Sequence, residues 1–227
     1  NDWQTYDGDY DHIVFIGGQG NDSITFTGFD NSNITFDLQG GAGDDVIEFI
    51  EDLGVAMPAT GAGAVIRGGS GNDRLVGSHL NDVIYGGLGD DEIEGGRGFD
   101  VLFGDDGKYQ DGPPVPMGED EDNYPDKTIS ARVSNLDGND TIAGGDGDDI
   151  IVGGGGLDDL SGDGGADIIL GDAGRFGFEL VDGHLDVSAF GIPVFVPNDR
   201  LDPDPAVSTA QKMQDILLAL TGIFTGT

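Results

Sequence analysis

Single aliphatic residues recur along this chain every nine positions, set between polar neighbours and preceded by glycine and aspartate. The register is visible in GGQGNDSIT (17–25), GGAGDDVIE (40–48), GGSGNDRLV (68–76), GSHLNDVIY (77–85), GGLGDDEIE (86–94) and GGRGFDVLF (95–103), and again in NLDGNDTIA (135–143), GGDGDDIIV (144–152), GGGGLDDLS (153–161) and GDGGADIIL (162–170). The eighth position is Ile or Leu in all ten: Ile24, Ile47, Leu75, Ile84, Ile93, Leu102, Ile142, Ile151, Leu160 and Ile169. The sixth is Asp in all ten: Asp22, Asp45, Asp73, Asp82, Asp91, Asp100, Asp140, Asp149, Asp158 and Asp167. Low-complexity Gly/Asp sequence would not hold an aliphatic residue at one fixed offset.

This pattern predicts an all-β fold. Six residues make a tight turn in which glycines supply positive φ and close backbone approach. Three residues make a short strand whose eighth side chain faces inward, while the seventh and ninth, often charged or polar, face out. Two nonapeptides close one coil of a flattened parallel β-roll, a β-solenoid, so turns 18 residues apart stack on one edge. Stacking pairs Asp73 with Asp91, Asp82 with Asp100, Asp140 with Asp158, and Asp149 with Asp167.

Composition sharpens the picture. The chain has 227 residues, 44 acidic and 9 basic, for a formal charge of −35, with 43 glycines and no cysteine. Such acidity excludes nucleic-acid binding through phosphates, which needs Lys and Arg, and attachment to an anionic membrane. No apolar run approaches the ~20 residues of a spanning helix, so membrane insertion is not expected. A disulfide framework and a thiolate zinc site are excluded. High net charge with abundant glycine favours disorder, yet the aliphatic residues stand at regular places. The combination predicts a chain that folds once cations neutralise it.

The nonapeptide G-G-x-G-x-D-x-U-x (U, a large aliphatic residue) resembles the repeat of the RTX family, the glycine- and aspartate-rich repeats of proteins exported by bacterial type I secretion. The likeness is dense over 68–103 and 135–170 and scattered over 1–48. It implies Ca2+ as the ion, in at least four sites. The implied ligands are the ten sixth-position Asp residues with loop carbonyls such as those of Gly69, Gly71, Gly87, Gly89, Gly96, Gly98, Gly145, Gly147, Gly154 and Gly156. An all-oxygen cage suits a hard cation of this size. Each stacked Asp pair is expected to share an ion, and without metal the paired carboxylates repel, so binding and folding should be one event. Ser78, Leu80, Asn135 and Leu136 stand where the family prefers glycine, which puts those turns' loop geometry in question more than their metal.

Five stretches follow. Residues 1–67 read as degenerate N-terminal coils, in which AVIR (64–67) has strand character but no Asp at the metal position. Residues 68–106 are a first regular block, 107–134 an acidic, Pro-rich insertion, and 135–175 a second regular block. Residues 176–227 read as a hairpin and strand followed by a helix over 209–220, with Ser208 as N-cap, Gly222 as C-cap and Met213, Ile216, Leu217 and Leu220 as its apolar stripe. That helix is read as a cap on the open end of the roll, with a partner or self-association surface and a secretion signal as alternatives. GDDGKYQDG (104–112) resembles GDAGRFGFELVDG (171–183), a higher-order duplication that suits a long tandem protein.

No HExxH, GxSxG or Walker motif is present, and His12, His79 and His184 are dispersed. Asp7, Asp9 and Asp11 lack the glycine an EF-hand loop needs at His12. Trp3, Tyr6 and Tyr10 could stack on sugar, but end-of-chain packing is the commoner use. The expected protein is a non-enzymatic calcium-binding module of a large secreted surface, adhesive or filament-forming bacterial protein, able to self-associate end to end or through the C-terminal helix. The alternative is the calcium-dependent tail of an exported protease, lipase or toxin.

Overall fold

Short strands between glycine-rich turns alternate between two parallel sheets, as the nine-residue period predicts. The computed structural model describes residues 12–27, 34–50, 63–111, 127–131, 137–172, 175–181 and 184–186. The first sheet has seven strands in the order β1 (His12–Gln19), β3 (Thr35–Ala42), β5 (Ala64–Ser70), β7 (Val83–Leu88), β9 (Val101–Phe103), β13 (Ile150–Gly154) and β15 (Ile168–Asp172). The second has six, running β2 (Ser23–Thr27), β4 (Val46–Ile50), β6 (Arg74–Val76), β8 (Glu92–Arg97), β12 (Thr141–Asp146) and β14 (Asp159–Gly164). Each coil contributes one strand to each sheet, which makes a parallel β-roll.

Eighth-position side chains meet between the sheets. Ile66, Ile84, Leu102 and Ile151 from the first sheet pack with Ile47, Leu75, Ile93 and Ile142 from the second, all essentially without solvent exposure. Burying one such side chain contributes about 1.5–3 kcal/mol. Ile169, on the last strand of its sheet, remains 44 % exposed.

The regular blocks at 68–106 and 135–175 are not separated in space. Strand β12 pairs in register with β8 (Ile142 opposite Ile93), and β13 with β9 (Ile151 opposite Leu102). The 107–134 insertion leaves the roll and the chain re-enters where it left. The N-terminal coils stack on the same roll despite longer spacings, with Leu38 opposite Ile66 and Ile47 opposite Leu75.

The outward positions depart from the polar expectation on one face. Val101, Phe103, Ile150, Val152 and Leu170 are apolar and buried. A third, antiparallel sheet lies over them, in the order β10 (Gly107–Asp111), β11 (Lys127–Ala131), β16 (Arg175–Val181) and β17 (His184–Asp186). Its Ile129, fully buried, and its Tyr109 and Ala131 pack on that face, where Tyr85 and Phe103 stack with ring centroids 4.9 Å apart. The physical reason is burial: strands reading VLF, IIV and IIL present apolar side chains on both faces and need a cover on each. The opposite sheet keeps a charged outer face, where Arg74 bridges Glu48 (2.9 Å) and Glu92 (2.6 Å).

The duplicated segments at 104–112 and 171–183 supply β10 and β16, which flank β11 on either side. The 176–197 hairpin is represented by β16 and β17. The helix over 209–220, the Trp3, Tyr6 and Tyr10 group and most of the insertion lie outside the described residues.

Candidate metal centre

In the ten repeats the sixth-position Asp stands at the start of a strand, so parallel stacking lines these residues up on two edges. On the first edge each Asp backbone N–H donates to Oδ1 of the Asp in the next coil: Asp22 to Asp45 (2.7 Å), Asp45 to Asp73 (2.7 Å), Asp73 to Asp91 (2.8 Å), Asp91 to Asp140 (2.9 Å) and Asp140 to Asp158 (3.1 Å). On the second edge Asp82 donates to Asp100 (2.7 Å), Asp100 to Asp149 (2.9 Å) and Asp149 to Asp167 (2.9 Å). The four pairs expected from an 18-residue spacing are all neighbours. Asp91 with Asp140 and Asp100 with Asp149 are two further pairs hidden by the insertion.

Along both ladders the oxygen used is Oδ1. Oδ2 of Asp22, Asp45, Asp73, Asp91, Asp100, Asp140 and Asp149 is buried without a hydrogen-bond partner. These oxygens point at the first glycine of their own turn. A Cβ on Gly68, Gly86 or Gly144 would collide with Oδ2 of Asp73, Asp91 or Asp149, and with a first-position carbonyl of the next coil, that of Gly86, Gly104 or Gly162. Glycine is therefore required there by close approach. At the second and fourth positions glycine is required by φ, as at Gly87 (119°) and Gly89 (115°). All ten glycines expected to offer carbonyls lie in this left-handed region.

Buried carboxylates with an unpartnered oxygen are costly unless a cation meets them. Burial pushes the Asp91 carboxyl up to about 8, Asp140 up to about 7, and Asp73 and Asp149 up to about 6, with neighbouring carboxylates adding to the rise. Asp100 is raised by burial and by the Asp82 and Asp149 charges. Among the described residues no three Asp, Glu, His or Cys side chains converge on one point. A cation here would be held by one or two carboxylates plus backbone carbonyls, an oxygen donor set that fits Ca2+.

The two edges are not alike. At the second edge the sixth position of the N-terminal coils holds Ile13, Phe36 and Ala64 in place of Asp, as the pairing of Ile13 with Phe36 and of Phe36 with Ala64 requires. The missing Asp expected near 64–67 is this Ala64. Asp82, next in the stack, accepts from Ser78 N–H at Oδ2 (2.5 Å) and from Ala64 N–H (2.5 Å) and the Ser78 hydroxyl (3.1 Å) at Oδ1. Ser78, a departure from the repeat, thus supplies donors where other turns leave Oδ2 bare.

A second ladder went unnoticed in the sequence. At the fifth position the N–H donates back to the previous coil's side-chain oxygen: Asp44 to Asn21 (3.1 Å), Asn72 to Asp44 (3.0 Å), Asp90 to Asn72 (3.2 Å), Asn139 to Asp90 (2.7 Å) and Leu157 to Asn139 (2.8 Å). The signal was available, since the fifth position is Asn or Asp in seven of the ten repeats. Asp105, which the repeat pattern does not mark, is also buried (2 % exposed) with its Oδ1 unpartnered.

The turn between β9 and β12 is a correction to the repeat alignment. Asn135 and Leu136 were expected at its first two positions, and both lie outside the described residues. Gly104 and Asp105 stand there instead. The Gly104 carbonyl accepts from Gly87 N–H (2.9 Å), and a Cβ on Gly104 would strike Asp140 Oδ2. Gly138 takes the fourth position, over Gly89. The apparent loss of glycine reflects a turn cut in two by the insertion.

The RTX calcium-binding nonapeptide repeat, in four copies, matches residues 37–48, 60–93, 67–102, 85–108 and 135–169. These repeats belong to the RTX family. RTX repeats are structural calcium-binding modules of bacterial secreted proteins, and the ion of these turns is Ca2+. No curated protein and no solved structure matches the chain. The RTX matches stop at 108 and resume at 135, the interval over which the chain leaves one calcium turn and returns to it.

Proposed function

We propose that this RTX chain is a non-enzymatic calcium-binding module of a large secreted surface or filament-forming protein, and that it folds on meeting extracellular calcium. The observation that carries this reading is the row of buried, unpartnered Asp oxygens along the turns. Seven such oxygens, with carboxylates stacked coil upon coil, oppose folding until cations occupy the turns. The ions lie between consecutive Asp residues of one edge, Asp73 with Asp91, Asp91 with Asp140, Asp140 with Asp158, Asp100 with Asp149 and Asp149 with Asp167. First- and second-position carbonyls complete the cages. At low calcium the chain stays extended and threadable for export, and outside it becomes a rigid acidic rod. The equivalent placement of β10 and β16 in one accessory sheet supports a unit built for tandem repetition.

Far-UV circular dichroism in EDTA, followed by a calcium titration with magnesium as control, tests this. The expected result is a cooperative coil-to-β transition at millimolar calcium or below, absent with magnesium. A chain already fully β in EDTA would overturn the switch.

A further inference from the structure

The insertion enters the roll in the middle of a calcium turn. Gly104 and Asp105 close one half of that turn, and Asp137, Gly138, Asn139 and Asp140 close the other. The break changes the chemistry at one position. Where a continuous turn has a left-handed glycine, such as Gly87 or Gly154, this one has Asp105. Among the ten repeats only Asp163 puts an acid there, and it is exposed.

Asp105 is placed as a ligand would be. It is 2 % exposed. Its Oδ2 accepts from Gly155 N–H of the next coil (2.6 Å). Its Oδ1 is buried and has no partner. In the same turn Asp140 Oδ2 is also buried and unpartnered, against the Cα of Gly104. A continuous turn has at most one such oxygen, and the split turn has two. Two buried anionic oxygens in one turn form a stronger cation site than one, because calcium affinity rises with ligand charge and rigidity.

We propose that the split turn holds a calcium ion bound by Asp105 and Asp140 together, and that this ion clasps the two ends of the insertion to the roll. It is the tightest site of the chain. Its ligands come from both sides of the excursion, so occupancy fixes the base of β10 and β11, which in turn cover Val101, Phe103, Ile150 and Val152. The proposal rests on the calcium reading of the repeats.

The test is calcium binding by calorimetry and equilibrium dialysis on the full chain and on Asp105→Asn. The Asn oxygen still accepts from Gly155 but carries no charge. Trypsin cleavage after Lys108 and Lys127 is followed in parallel. The expected result for Asp105→Asn is one fewer tight ion, or at least tenfold weaker binding at one site. Cleavage after Lys108 and Lys127 should be at least tenfold faster at calcium concentrations that leave the roll's far-UV signal intact. If Asp105→Asn does not fold, Asp105→Gly, which restores the regular turn residue, is measured in the same way and should show the same loss. Unchanged ion number, affinities and cleavage in a folded variant would overturn this proposal alone. Absence of calcium binding by the parent chain would overturn it together with the proposed function.

Discussion

The backbone N–H of Asp91 donates to Oδ1 of Asp140 at 2.9 Å, although 49 residues separate the two. Within each regular block the same bond spans 18 residues, as from Asp73 to Asp91. The difference, 49 − 18 = 31, is the length of 106–136, so removing those residues joins Asp105 to Asp137 and restores an unbroken coil reading GDDGND. The deletion variant is expected to keep a calcium-driven β transition. It should also expose the apolar face at Val101, Phe103, Ile150 and Val152, giving strong binding of a hydrophobic dye and self-association at micromolar concentration. Loss of the calcium transition would show that the insertion is needed for the roll itself.

Much of this architecture could be read from residue spacing because two physical demands act at fixed offsets. The interior takes one aliphatic side chain per strand, as at Ile84 and Ile93, and the turn takes one carboxylate, as at Asp82 and Asp91. What escaped reading was whatever depends on contacts between distant segments. The split turn hid because Gly104 and Gly138 lie 34 residues apart, and Asn135 and Leu136 filled the gap in a linear alignment. The cover over Phe103 and Val152 hid because its strands come from the insertion, although the runs VLF, IIV and IIL already showed apolar residues on both faces. Asp105 was invisible as a ligand candidate because the repeat pattern has glycine at its position. The Ser78 hydroxyl bond to Asp82 depends on a single residue that looked like decay.

The Ser78 bonds separate Asp82 from the other sixth-position acids. Both of its oxygens are already met by protein donors, whereas Asp100 keeps a bare, buried Oδ2. Asp82→Asn should lower thermal stability by about 1–3 kcal/mol through the lost charged hydrogen bonds, with no change in the number of calcium ions bound. Asp100→Asn should remove an ion. Equilibrium dialysis with radioactive calcium reads the difference, and loss of an ion from Asp82→Asn would count against the assignment.

Acid should replace calcium in part. The buried carboxyls are raised in the folded chain, to about 8 at Asp91, about 7 at Asp140 and about 6 at Asp73 and Asp149, chiefly by burial. In the unfolded chain an Asp titrates near ~3.9. The metal-free fold therefore binds more protons than the unfolded chain between about pH 4 and 8, and its stability falls as pH rises through that window. In EDTA, the β signal at pH 5.5 is expected to exceed that at pH 8. Calcium binding should release protons, measurable as a buffer-dependent heat. A metal-free chain that gains β structure on going from pH 5.5 to 8 would contradict the burial of these groups.

The N-terminal coils close one edge with hydrocarbon where later coils close it with acid. Phe36 stands in line with Asp82 and Asp100, is 4 % exposed, and packs edge-on against Phe26 and Phe49 at centroid distances of 5.0 and 5.1 Å. Phe26 and Phe49 stack at 4.9 Å, which completes an aromatic triad. Such a plug is held by packing and needs no ion. Phe36→Ala should therefore cost about 3–5 kcal/mol, as large-to-small core changes do, and lower the thermal midpoint of the calcium-loaded chain. The number of bound calcium ions and the midpoint of the calcium titration for the downstream coils should stay the same. Asp91→Asn is the converse control, losing ions while leaving the triad in place. If Phe36→Ala, still folded, lost calcium ions, the two halves of that edge would be one cooperative metal array, and its N-terminal part would not be the metal-independent plug that these contacts describe.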